Sequence, residues 1–238
     1  MLAWIEFTGI VRPIRAKQFA RLMFCRTMSS DMDTIGPWTE VKLEILREYA
    51  APYSTILTAN HLYHLYIDAY AAGGSHVSAT TGEVVPGSTR LALLTEPPFR
   101  EYHFIDSDPI RVERLRQFTD GRADVHVHSG DCNEILLRDV FPVARYEDRR
   151  RALCLLDPYN IDLSWPVIAK AGAMKSIEIF VNFMMMDMNM NILLRDPSAA
   201  DPLQLARMNR FWGDDSWKHV AYERAGNGDC SEIPRSLR

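Results

Sequence analysis

The segment Tyr102-His103-Phe104-Ile105-Asp106-Ser107-Asp108-Pro109-Ile110-Arg111-Val112 decides the fold. Tyr102 to Asp106 reads as a short apolar strand closed by an acid, and Asp108-Pro109 caps and opens a helix that carries Arg111, Val112 and Leu115. Four further runs share this pattern: Leu62 to Asp68, Val125 to His128, Ala152 to Leu156 and Ile177 to Phe183. Helical spacing lies between them over Arg111 to Phe118, Asn133 to Val140 and Pro166 to Ala171. A strand, helix, strand rhythm of this kind predicts a mostly parallel, doubly wound α/β sheet with right-handed crossovers. Ligands of such sheets bind beyond the carboxyl ends of the strands, so the residues after each run form the candidate site.

Composition bounds the alternatives. The chain has 238 residues, 47% of them apolar and 24% charged, with a net charge of −4. That suits one α/β domain, or at most two small ones, with a real core, and gives no membrane span. Residues 1 to 30 carry five basic residues (Arg12, Arg15, Lys17, Arg21 and Arg26) against Glu6, a local +4 that leaves −8 on the remainder. An acidic body offers no broad footprint for nonspecific nucleic-acid binding, yet does not remove nucleic acid as a substrate. Cys25, Cys132, Cys154 and Cys230 lie far apart without C-x-x-C or a Cys/His zinc spacing, so they read as cytoplasmic thiols and no metal site is expected.

The organisation follows. Residues 1–35 read as a weakly patterned N-terminal extension, with Met28 or Met32 as alternative starts and no targeting signal. Residues 36–220 form the α/β domain and 221–238 a tail. Within the domain, Gly36-Pro37-Trp38-Thr39-Glu40 starts a helix with Thr39 as N-cap, and Pro52 is expected to kink or end it. His76 to Gly87 reads as a long polar loop before a short helix at Ser88.

The strand ends carry the chemistry. After the first comes Asp68-Ala69-Tyr70-Ala71-Ala72-Gly73-Gly74-Ser75, small residues that let backbone approach a ligand or simply turn. Asp106 stands where nucleotide binders hold ribose hydroxyls. Asp131, in Gly130-Asp131-Cys132-Asn133, either accepts from an adenine amino group or caps the next helix. Leu155-Leu156-Asp157-Pro158-Tyr159 joins a carboxylate that can orient a nucleophile, a fixed turn and a ring that can stack on a planar substrate. In the run Asn182 to Asn191, methionines read as packing and Asn182, Asp187 and Asn189 as polar contacts in the cleft. The Arg145 to Arg151 cluster reads as a solvated connection.

Order and spacing of these acids resemble the cofactor site of class I S-adenosylmethionine-dependent methyltransferases. Pro37-Trp38-Thr39-Glu40-x-Lys42-Leu43, Tyr66-Ile67-Asp68-Ala69-Tyr70-Ala71, Phe104 to Pro109, Gly130 to Asn133, Leu155 to Tyr159, Asn182 to Asn191 and Phe211-Trp212-Gly213-Asp214 resemble the three-Cys-motif partner family over residues 37 to about 220. The resemblance implies a Rossmann-like methyltransferase fold, S-adenosylmethionine as cofactor and a three-Cys-motif protein as partner, without naming a methyl acceptor. It implies Asp68, Ala71, Gly73 and Gly74 at the methionine end, Asp106 at the ribose, Asp131 at the adenine and Asp157, Pro158 and Tyr159 at the acceptor. The chain departs from the family at Ala72 and Asn160, where glycine is usual, and at Met184 and Met190, where proline and arginine are usual. A sheet of this type normally closes with two further strands, which the sequence after Trp217 is too short to supply. A catalytically inactive scaffold is therefore the second reading, and an NAD-dependent oxidoreductase, which would want the glycine fingerprint that Ala71 and Ala72 interrupt, the third.

Overall fold

Five parallel strands carry the apolar runs side by side in a computed structural model that describes residues 33–72, 74–196 and 199–223. In chain order they are β2 (Tyr63–Asp68), β5 (Glu101–Asp106), β6 (Val125–Ser129), β7 (Arg150–Leu156) and β8 (Ile177–Val181). Their order across the sheet is β6-β5-β2-β7-β8. The chain builds outward from β2 through β5 to β6, then returns across the centre to start β7. The sheet is the Rossmann-like, doubly wound arrangement expected, with its switch point between β2 and β7.

Alternation divides each strand between two faces. Tyr66, Tyr102, Phe104, Leu153 and Leu155 join one core cluster with Leu46 and Ala50 of α1 (Pro37–Ala59), Ala92 of α2 (Ser88–Leu93) and Leu115 of α3 (Pro109–Phe118). Leu65, Ile67, Ile105, Ala152 and Cys154 point the other way and are also buried, as are Val167 and Ala171 of α5 (Trp165–Met174). Cys132 and Cys154 are buried free thiols, the packing role expected of them. Cys25 and Cys230 lie outside the described residues.

The structure corrects several local expectations. α1 is capped at Gly36, with Pro37 at its first position, where the fixed φ of proline is already helical and its missing N–H would have had no intrahelical acceptor. Pro52 does not end α1: Leu46, Ala50 and Ser54 stay buried along one face and carry the helix past it. The segment 76–87 is no loop. β1 (Thr34–Ile35), β3 (Ser75–Ser78) and β4 (Val84–Pro86) form a second, three-stranded sheet, so ordered chain begins before residue 36. Ser78 is buried because it is bonded: its Oγ donates to Glu40 at 2.7 Å and accepts from the amides of Thr80 and Thr81. α4 (Cys132–Ile135) gives way to a π-helical turn, Leu136–Val140, where a continuous helix was expected.

The π-helical turn His219–Glu223 belongs to a second unit of the chain. The extension 1–32 and the tail 224–238 lie outside the described residues. No described helix is long and apolar enough to cross a membrane.

Phe99 is the hub of the aromatic core, with its ring centroid 5.3 Å from His64, 5.4 Å from Tyr66, 5.9 Å from Tyr102 and 6.3 Å from Tyr53. Phe99→Ala is expected to destabilise the fold by about 3–5 kcal/mol, because four rings lose a shared partner. Urea unfolding of the variant measures this, and a loss below about 1 kcal/mol would mean the rings repack.

Candidate functional site

The carboxyl ends of β2, β5 and β7 bring Asp68, Asp106 and Asp157 to the floor and wall of one cleft of about 780 Å3. Parallel pairing aligns these ends, and the return of the chain between β2 and β7 keeps crossover backbone from filling the space. The volume suits a nucleoside-sized ligand.

Asp68 is the most deeply set. It has no exposed surface, its Oδ1 accepts from the Tyr70 amide at 3.3 Å, and its Oδ2 has no hydrogen-bond partner. Burial pushes its carboxyl up to about 7; the Ser88 hydroxyl and the Tyr70 amide pull it down, while Asp157 and Asp106 push it further up. A buried carboxylate oxygen without a donor is costly unless something outside the chain supplies one.

Asp157 is fully engaged. Lys42, on the first turns of α1, lies 2.9 Å from Oδ1 and 2.8 Å from Oδ2, and Asn182 Nδ2 donates to Oδ1 at 2.6 Å. Two residues expected to face the acceptor, Asp157 and Asn182, are thus brought together, and a lysine not singled out as a site residue holds them. Pro158 and Tyr159 line the rim, with Tyr159 92% exposed and its ring open to solvent.

Asp106 is 8% exposed and its Oδ1 accepts from the Asp108 amide at 2.8 Å. Burial raises its carboxyl, opposed by that amide and by Arg111, whose Nη1 lies 4.0 Å from Oδ2. Asp108 caps α3 by accepting from the Ile110 amide at 2.8 Å, the structural role expected of it. Asp131 caps α4: its Oδ1 accepts from the amide and the side chain of Asn133 at 2.7 and 2.9 Å. Asn133 also donates to Asp162 O and accepts from the Ser164 amide, which ties the loop after β7 to α4. Cys132 lines the cleft beside it, and burial pushes its thiol up to about 11, so it is no thiolate nucleophile at neutral pH.

Other expected residues stand elsewhere. Ala71 is in the core, with its amide on Ile105 O at 2.8 Å, and does not line the cleft. Gly74 is buried in a turn at φ +88° over the Phe118 ring. Gly73 lies outside the described residues. Asp187 accepts from the Ile161 amide at 3.1 Å and lies 3.4 Å from Arg207, so it braces the loop after β7. Asn189 is exposed on α6 (Met185–Asn191), away from the cleft lining.

Lys42, His76, Arg111 and Arg210 also line the cleft. Their sequence neighbours give no sign of it, because each reaches the site from a separate element. Burial holds the His76 imidazole below the ordinary value, helped by Arg111 and opposed by Asp33, and its Nδ1 has no hydrogen-bond partner. The ring also explains Gly87, where a Cβ would stand 2.9 Å from His76 Nε2.

A scan against protein-family models finds no match, and a search of curated proteins finds no relative.

Asp68 generates a pH prediction. Its carboxyl is raised on folding from the ordinary range near 4 to about 7, so the native state holds the extra proton between those values. The stability this proton contributes is complete below about pH 4 and is lost as pH rises through 7. Asp68→Asn removes the titration. Relative to the wild type, the variant is expected to gain on the order of 2–4 kcal/mol between pH 4.5 and 8. Urea unfolding at the two pH values checks it, and a pH-independent difference would contradict a buried, protonated Asp68.

Proposed function

We propose that the cleft binds S-adenosylmethionine and that the chain is a methyltransferase-like protein of the three-Cys-motif partner kind, working with a three-Cys-motif protein. The observation that carries this is the set of acids at successive strand ends in a β6-β5-β2-β7-β8 sheet, with the buried Asp68 Oδ2 lacking a donor. An α-ammonium group is a donor of the right charge for that oxygen. Lys42 supplies a cation beside it for a carboxylate. Asp106, with Oδ2 uncommitted apart from Arg111, suits ribose hydroxyls, and the second oxygen of Asp131 suits an adenine amino group. When bound, the cofactor supplies an activated methyl on a sulfonium, an excellent leaving group.

The chain's own work is then chiefly positioning. Tyr159 offers its exposed face to a planar acceptor, a nucleic-acid base among the candidates. Pro158 fixes the turn that sets this ring next to Asp157. With both oxygens on Lys42, Asp157 orients the acceptor and does not take its proton. The same clamp favours the second reading, a scaffold that binds without transferring. The third reading, nicotinamide chemistry, has no comparable observation behind it.

Calorimetry of the purified chain with S-adenosylmethionine and S-adenosylhomocysteine tests the cofactor assignment. The expected result is micromolar binding that weakens at least tenfold in Asp106→Ala. Absence of binding by folded protein would remove the methyltransferase reading.

A further inference from the structure

Three imidazoles and a carboxylate gather on one face of β5 and β6, with Glu101, His103 and His126 toward the strand ends remote from the cleft and His128 further along. Glu101 and His103 are two residues apart on β5 and so share that face, and the parallel register sets His126 beside His103. The His103 ring stacks between its neighbours, with centroids 4.9 Å from His126 and 5.4 Å from His128. Glu101 Oε1 lies 3.1 Å from His103 Nε2 and 3.4 Å from His126 Nε2. The three donor atoms all lie within 4.8 Å of one another.

The carboxylate divides its labour. Glu101 Oε2 accepts from the Tyr63 hydroxyl at 3.1 Å and from Arg150 Nη1 at 3.4 Å, and the Arg150 guanidinium lies 4.4 Å above the Tyr63 ring. Oε1 is left to the imidazoles. Asp124 and Asp139, which act electrostatically on His126 and His128, are taken up by Arg122 and Arg138 at 2.6 and 2.7 Å and do not join the donor set.

We propose that Glu101, His103 and His126 form a binding site for a transition-metal dication of the zinc type, with solvent completing the coordination on the half-exposed side of His126. Ligands at about 2.0–2.1 Å from a tetrahedral ion stand roughly 3.3 Å apart, which is the spacing Oε1 already keeps to both imidazoles. Two imidazoles and one carboxylate suit zinc, cobalt, nickel or iron and not the all-oxygen preference of calcium and magnesium. The outer shell is also in place, since His103 Nδ1 lies 3.1 Å from His128 Nε2.

The proton balance closes. In the metal-free protein, His103 Nε2–H donates to Glu101 and its Nδ1 accepts from His128 Nε2–H. With the ion on His103 Nε2, its proton sits on Nδ1 and is donated to His128 Nε2, and His128 carries its own on Nδ1. No proton is gained or lost by this pair. The cysteine and histidine spacing of the sequence predicts no such site; register supplies what spacing does not.

Chelator-stripped full-length chain, titrated with Co2+ and followed by visible absorption, tests the site. The expected result is one Co2+ per chain with visible ligand-field bands, no thiolate charge-transfer band, and displacement by Zn2+. His126→Ala, which alters a half-exposed side chain, should keep its circular dichroism spectrum and lose at least tenfold in affinity. Glu101→Gln should weaken binding likewise. Asp106→Ala should bind Co2+ as the wild type does, since Asp106 lies three residues beyond His103 and five beyond Glu101 on β5, roughly 10 and 17 Å, with its side chain on the other face, and the metal site does not rest on the cofactor assignment. Absence of ligand-field bands in the wild type, a thiolate band, or an unchanged affinity in His126→Ala would each overturn the proposal.

Discussion

Asp68, Asp106 and Asp157 end three neighbouring parallel strands, and the structure depends on how three carboxyls withdrawn from solvent, chiefly Asp68, are accommodated there. Each is contained differently. Asp157 is neutralised by Lys42, which reaches it from α1. Asp106 stays near Arg111 and accepts a backbone amide. Asp68, buried between them, is held toward its protonated form. Lys42 also ties α1 to the end of β7, so the charge pair and the apolar face of Leu46 and Ala50 fix the same helix. This arrangement leaves one buried carboxylate oxygen without a donor, which is the strongest physical sign that the cleft takes a ligand.

Much of the sheet was legible because parallel strands buried on both faces read as short apolar runs, and their closing acids stand out against them. Asp108 was legible as a cap because Asp-Pro before Arg111 leaves a helix start little choice. Less visible were features set by partners distant in sequence. Lys42 sits inside a segment that carries the family resemblance, yet only the docking of α1 shows that it faces Asp157, 115 residues away. β3 and β4 were not legible because His76 to Gly87 is polar and contains glycine; the hydrogen bonds of Ser78 to Glu40 and to its own turn are what allow its burial. The family resemblance implies Ala71 at the methionine end of the cleft, but the chain turns it into the core.

The two ends of β5 divide the chemistry of the chain. At its carboxyl end, backbone amides and cations answer carboxylates in a cleft. At its amino end, Glu101 faces imidazoles that only strand register brings within reach. The same strand thus contributes Asp106 to one site and Glu101 with His103 to another, separated by the rigid length of the strand. The imidazole set is not recognisable from local sequence, since it depends on β5 lying beside β6 in register.

Hydrogen–deuterium exchange of the full-length chain, with and without S-adenosylhomocysteine, tests the claim that the strand-end carboxylates form a single adenosyl-binding cleft. The account predicts slowed exchange together in segments 68–72, 106–111, 130–133 and 157–162, with 125–128 unchanged. Exchange that is unaffected in all four segments, or protection confined to chain outside the cleft, would contradict it.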